Sequence, residues 1–112
     1  MKDIYLKKNE DFLRVYRKRN VYGNRNLTLY LKNNNLGYSR LGVSISTKVG
    51  KAHVRNLIKR RLKHIFRENL EGFPQGVDGV IVVKPAANGI SFAELKNSYF
   101  HLLRKVVKKS WV

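Results

Sequence analysis

At 112 residues and 43% apolar composition, the chain can build one compact domain around one modest core and little more. It has no cysteine, which excludes disulfides and thiolate metal centres, and no apolar run approaches the roughly 18 residues that cross a bilayer. Twenty-four Lys and Arg against seven Asp and Glu leave a net charge of +17, an excess that calls for a polyanionic partner.

Residues 7–19, KKNEDFLRVYRKR, predict a short helix. Asn9 is suited to the N-cap, Glu10 and Asp11 sit where the helix dipole favours acids, and the cations come last. YGNRN reads as a turn and LTLYL (27–31) as a strand. KNNNLGYS reads as a loop. RLGVSISTK (40–48) alternates Leu41, Val43 and Ile45 with small or polar residues, which predicts a strand with one buried face, broken at Gly50.

A long helix over residues 52–69 follows, ended by Gly72, Pro74 and Gly76. GVIVVKP (79–85) is a continuous apolar run of the kind found in central strands. Ser91 and Glu94 form a capping box for a last helix over 92–108, whose apolar stripe is Leu95, Tyr99, Leu102, Leu103 and Val106. The order, α-β-β-(β)-α-β-α, predicts an α+β sandwich in one domain, residues 1–112, with helices packed on a sheet of about four strands.

The charge is segregated along this order. No acid occurs between residues 12 and 67, against fifteen Lys and Arg. A solvated face normally mixes signs, so nucleic acid is the first reading. An anionic membrane surface would need bulky apolar residues free to insert, and here the core needs them. The opening MKDIYLKKNEDF carries charge where a secretory signal carries an apolar stretch, so a cytoplasmic location is expected.

The helix over 52–69 concentrates the effect. With Val54 at 0°, residues Leu57, Ile58, Leu62, Ile65 and Phe66 fall between about −60° and 120°. Arg55, Asn56, Lys59, Arg60, Lys63 and Arg67 fall between about 100° and 240°. Arg61 lands among the apolar positions and must snorkel or sit at the end of a groove. Arg55, Lys59, Lys63 and Arg67 form an i, i+4 row with no acidic relief. Successive members lie about 6 Å apart along the axis, close to the phosphate spacing of a nucleic-acid strand. Such a row tracks a backbone without reading sequence.

VRNLIKRRLKHIFR resembles the signature of the bacterial ribonuclease P protein subunit, an Arg-Asn-Arg core followed by Ile-Lys-Arg. Arg55, Asn56, Ile58, Lys59 and Arg60 match, whereas Leu57 stands where the family carries Arg. LKKNEDFLRVY, LGVSISTKVGKA, VIVVKPAA and SFAELKNSYFHLLRK are similar to further family segments, so the resemblance spans most of the chain.

The resemblance implies a sandwich with a left-handed strand–helix–strand crossover, against the general preference. It implies a protein subunit that pairs with the catalytic ribonuclease P RNA and promotes endonucleolytic removal of the 5′ leader from precursor tRNA. The catalytic metal, chiefly Mg²⁺, belongs mainly to the RNA. Arg55, Asn56, Lys59, Arg60, Lys63 and Arg67 are expected to face that RNA. Phe12, Tyr16 and Tyr30 match the family's leader-contacting aromatics, with Lys48, Lys51, Lys84 and, more weakly, Arg40 as phosphate contacts. A buried role for Phe12, Tyr16 and Tyr30 in the core is the competing reading.

No catalytic residue, metal site or small-molecule substrate is expected in the protein, which is expected to be a monomer alone. The carboxylates are scattered, and His53 and His64 lie about 16 Å apart along one helix. The alternative function is a structural rRNA-binding protein without an enzymatic partner. A helix-turn-helix DNA reader is disfavoured because strands, not a second helix, flank the basic helix.

Overall fold

A four-stranded sheet with an apolar cluster on each face organises the molecule. In the computed structural model, which describes residues 3–108, the order is α1 (Asn9–Lys18), β1 (Asn20–Gly23), β2 (Leu27–Asn33), β3 (Arg40–Ser44), α2 (Ala52–Glu68), β4 (Val77–Val83) and α3 (Phe92–Lys108). Single turns of 3-10 helix lie at Leu70–Gly72 and Pro85–Ala87. The sheet runs β1-β2-β4-β3. The β1/β2 and β2/β4 pairs are antiparallel, and β3/β4 is parallel. A parallel pair needs a crossover, and α2 supplies it.

The alternation of side chains along β2 sorts the two faces. Leu27, Leu29 and Leu31 are buried in the main core with Leu41, Val43 and Ile81 from the neighbouring strands. Onto this face pack Ile58, Leu62, Ile65 and Phe66 of α2 and the stripe Leu95, Tyr99, Leu102, Leu103 and Val106 of α3. The opposite face carries a smaller cluster in which Leu6, Val15 of α1 and Val80 of β4 are buried, with Phe12, Tyr16, Tyr30 and Val82 half-buried around them. β4 is covered on both sides, which is why its sequence is apolar without alternation.

The capping box forms as its residues require. The Glu94 amide donates to Ser91 Oγ at 3.1 Å, and the Ser91 amide donates to Glu94 Oε1 at 3.4 Å. Two local expectations are corrected. Lys8, not Asn9, occupies the N-cap of α1 and makes no side-chain cap bond; Asn9 is the first helical residue. Tyr22 and Gly23, expected in a turn, belong with Asn20 and Val21 to a strand registered from Asn20 opposite Leu31 to Gly23 opposite Thr28.

Candidate nucleic-acid interface

Helix α2 buries Ile58, Leu62, Ile65 and Phe66 of its apolar arc and leaves its cations without acid partners among the described residues. Among the described residues, ion pairs join Lys7 to Asp3, Arg14 to Asp11 and Arg40 to Asp78, and none involves α2. Asn56, Lys59, Arg60 and Arg67 are exposed, while Arg55 and Lys63 are half-buried. The Arg55 guanidinium turns back to donate to the Gly50 carbonyl at 3.1 Å. A neutral acceptor leaves its charge intact. Leu57, at the edge of the apolar arc, is exposed.

The N-terminal segment adds an aromatic residue that the helix pattern cannot reveal. Tyr5 bridges to Leu41 of the edge strand β3, which brings its ring beside α2. Its hydroxyl accepts from Arg67 and donates to the Lys63 carbonyl, both at 3.4 Å. The Lys63 ammonium lies 4.9 Å from the Tyr5 ring centroid. Partial burial, then the neighbouring ammoniums of Lys59 and Lys7, draw the Lys63 pKa below its ordinary value. Arg61 snorkels as expected, its guanidinium carbon 5.8 Å from the centroid of the Phe92 ring. Tyr5, Phe92, Arg60, Arg61, Lys63, His64 and Arg67 together line an open cavity of about 360 Å³. It offers two aromatic rings and four permanent or near-permanent cations, the chemistry of a nucleotide contact.

On the other face of the sheet, α1 and the strands bring Phe12, Tyr16 and Tyr30 together. Tyr16 and Tyr30 meet edge to face, with centroids 4.9 Å apart. The outer edge of the Phe12 ring lies over Gly42 of β3. A Cβ at Gly42 would come within 2.6 Å of Phe12 Cζ, so a larger residue there would push the ring from its place. All three aromatics are half-buried: they pack on Val15 and Val80 and also present surface to solvent. The core reading therefore holds for part of each residue, and the rest of each ring stays open to solvent.

The basic residues expected to flank this strip divide into two kinds. Lys48 and Lys51 are exposed in the connection between β3 and α2, and Lys84 follows β4. Because β3 and β4 are parallel, all three lie off the same end of the sheet. The Lys84 ammonium donates to the Asn24 carbonyl at 2.6 Å. Arg40 is different. It forms a two-pronged pair with Asp78, Nε to Oδ1 at 2.8 Å and a terminal nitrogen to Oδ2 at 2.7 Å. The hydrogen bond to Asp78 raises the Arg40 pKa above its ordinary value. Its charge is matched inside the fold, where it ties β3 to β4.

Comparison with known proteins agrees with this geometry. The family model described as Ribonuclease P matches residues 1–107. The ribonuclease P protein component of Clostridium botulinum is 39% identical over 106 residues, covering 94% of this chain and 96% of that one. That of Clostridium kluyveri is 42% identical over 106 residues, covering 92% and 95%. Among solved structures, the Staphylococcus aureus RNase P protein superposes with a TM-score of 0.87 at 32% identity, covering 94% of this chain and 96% of its own. The Thermotoga maritima RNase P protein gives 0.83 at 28% identity, covering 90% and 96%.

Proposed function

The chain belongs to the ribonuclease P protein family, and on that premise we propose that it docks on a ribonuclease P RNA through α2 and holds the 5′ leader of precursor tRNA on the opposite face of its sheet. The observation that carries this reading is the separation of two surfaces by one sheet. One is a helix whose row of cations no acid among the described residues neutralises. The other is a half-buried aromatic strip on α1 and β2 with lysines at its end.

The chemistry suits each task. Arg55, Asn56, Lys59, Arg60, Lys63 and Arg67 supply charge and donors to phosphates without specifying bases. Phe12, Tyr16 and Tyr30 offer π surface, and base stacking on aromatics contributes about 1–3 kcal/mol per base with little sequence demand. A leader that differs from one tRNA to the next needs that tolerance. Lys48, Lys51 and Lys84 are the phosphate contacts beside the strip.

Hydrolysis in this reading is the work of the RNA, with Mg²⁺ held there. Among the described residues no three of His, Asp and Glu stand close enough together to hold a metal ion. The protein contributes affinity and positioning. The test adds purified protein to a bacterial ribonuclease P RNA and precursor tRNA at low Mg²⁺. Cleavage should rise, releasing the 5′ leader, and no rise would end the proposal.

A further inference from the structure

The positive charge at the Lys84 end of the sheet does not stop at the sheet. β2 is antiparallel to β4, so the β1–β2 turn, residues 24–26, lies at the same end as Lys84 and the β3–α2 connection. There the turn is packed against α3. Asn24, Arg25, Asn97, Ser98, His101 and Arg104 line an open cavity of about 420 Å³. Arg25, His101 and Arg104 are exposed, and no carboxylate lines the cavity.

Two lysines reinforce the turn from outside the cavity. Lys84 donates to the Asn24 carbonyl, and Lys105 of α3 donates to the Gly23 carbonyl. Both acceptors are neutral, so both charges persist. The carboxylate nearest along α3, Glu94, is bound to Ser91 in the capping box.

The polar groups of the cavity are set for donation. Asn24 Oδ1 accepts from the amides of Asn26 and Leu27 at 3.1 and 2.9 Å, which fixes the orientation of the side-chain amide. Its Nδ2 donates to the Ser98 carbonyl at 2.9 Å and lies 3.2 Å from His101 Nδ1. His101 Nδ1 must then accept, so the neutral ring carries its proton on Nε2. The Nε2–H joins the two guanidiniums as a donor with no protein partner among the described residues.

From this arrangement we infer that the turn at residues 24–26 and the adjoining face of α3 form a second single-strand contact, which takes the phosphates of the part of the 5′ leader farthest from the cleavage site. The inference rests on the leader reading above. It goes beyond it in naming Arg25, His101 and Arg104. The direction follows from the sheet order β1-β2-β4-β3. α2 and its RNA lie toward β3, and β1 is the far edge. A strand leaving the catalytic RNA crosses about three strand spacings of ~4.8 Å before it reaches the β1–β2 turn.

The test uses holoenzyme reconstituted with ribonuclease P RNA and precursor tRNAs with leaders of about two nucleotides, too short to cross three strand spacings, and of about twelve, within the usual range of single-strand site sizes. The double variant Arg25→Ala/Arg104→Ala should bind the long-leader precursor about tenfold more weakly, with the salt slope reduced by about 1.4 for two lost phosphates. It should bind the short-leader precursor as the parent does. Equal loss for both leaders would assign the two arginines to another part of the RNA, and no loss for either would leave the cavity without a role; each overturns the inference. Phe12→Ala is run in parallel. If it too fails to separate precursor from mature tRNA, the leader reading itself falls; if it separates them while the arginine variant does not, only the second contact falls.

Discussion

Phe12 has two duties that pull a substitution in different directions. Its ring covers Gly42 and borders the small core of Leu6, Val15 and Val80, and it also keeps an exposed surface. Phe12→Leu retains much of the apolar volume but removes the π face. Precursor tRNA should bind about 1–3 kcal/mol more weakly, the value of one stacked base, while mature tRNA binds unchanged and the melting temperature stays close to that of the parent. Binding both with equal loss would make Phe12 a packing residue alone. Tyr99 gives the complementary case in the main core. Its hydroxyl is buried with no hydrogen-bond partner among the described residues, and burial pushes its pKa up. An unsatisfied buried polar group costs about 1–3 kcal/mol, so Tyr99→Phe should raise the melting temperature without touching RNA binding. A lower melting temperature would show that the hydroxyl is satisfied in solution.

At the level of elements, α2 trades its own stability for charge. Each like-charged i, i+4 pair costs about 0.2–0.5 kcal/mol, and Arg55, Lys59, Lys63 and Arg67 make three in a row. Lys59→Glu turns two of those pairs attractive at an exposed position. The free protein should gain about 1 kcal/mol in chemical denaturation, and RNA affinity should fall by more than for a neutral replacement. Stability gained with affinity unchanged would remove α2 from the RNA surface. Arg60→Ala is the finer probe. The slope of log affinity against log salt should drop by roughly one for one lost phosphate contact; an unchanged slope would take Arg60 off the phosphates.

The same helix shows what a sequence can and cannot disclose. α2 and α3 are legible almost to the residue because periodicity, the Ser91–Glu94 box and the Gly and Pro that follow α2 all act locally. β1 is not legible. Its four residues are largely polar or half-exposed, and it is a strand only because β2 offers it a ladder. Tyr5 and Phe92 were invisible as parts of the α2 surface for a like reason. One reaches it through a single bridge to β3, and the other through the packing of the start of α3. Arg40 looked like an available cation because its partner, Asp78, lies 38 residues away on β4. Its match is a product of the β3–β4 register, in which the two residues stand side by side.

For the molecule as a whole, a chain of charge +17 folds into a body whose extents are 36 × 30 × 27 Å over the described residues. With a Debye length of about 8 Å at physiological ionic strength, cations on α2 feel one another and the lysines at the sheet end only as a screened field. At low salt that field spans the protein and opposes folding. Three ion pairs among the described residues relieve it little, and one of them, Arg40–Asp78, is internal to the sheet. Salt should therefore stabilise this protein, whereas one held by surface ion pairs would lose stability. Raising chloride from low to physiological ionic strength should lift the melting temperature by several degrees, since about 1 kcal/mol shifts a domain of this size by about 4 °C or more. Micromolar tripolyphosphate, too dilute to change bulk solvent properties, should do the same by occupying the clustered cations, and the Lys59→Glu variant should respond less. A melting temperature indifferent to both anions would mean that the cations are already neutralised within the fold, and the bare row on α2 would no longer explain why this protein needs an RNA.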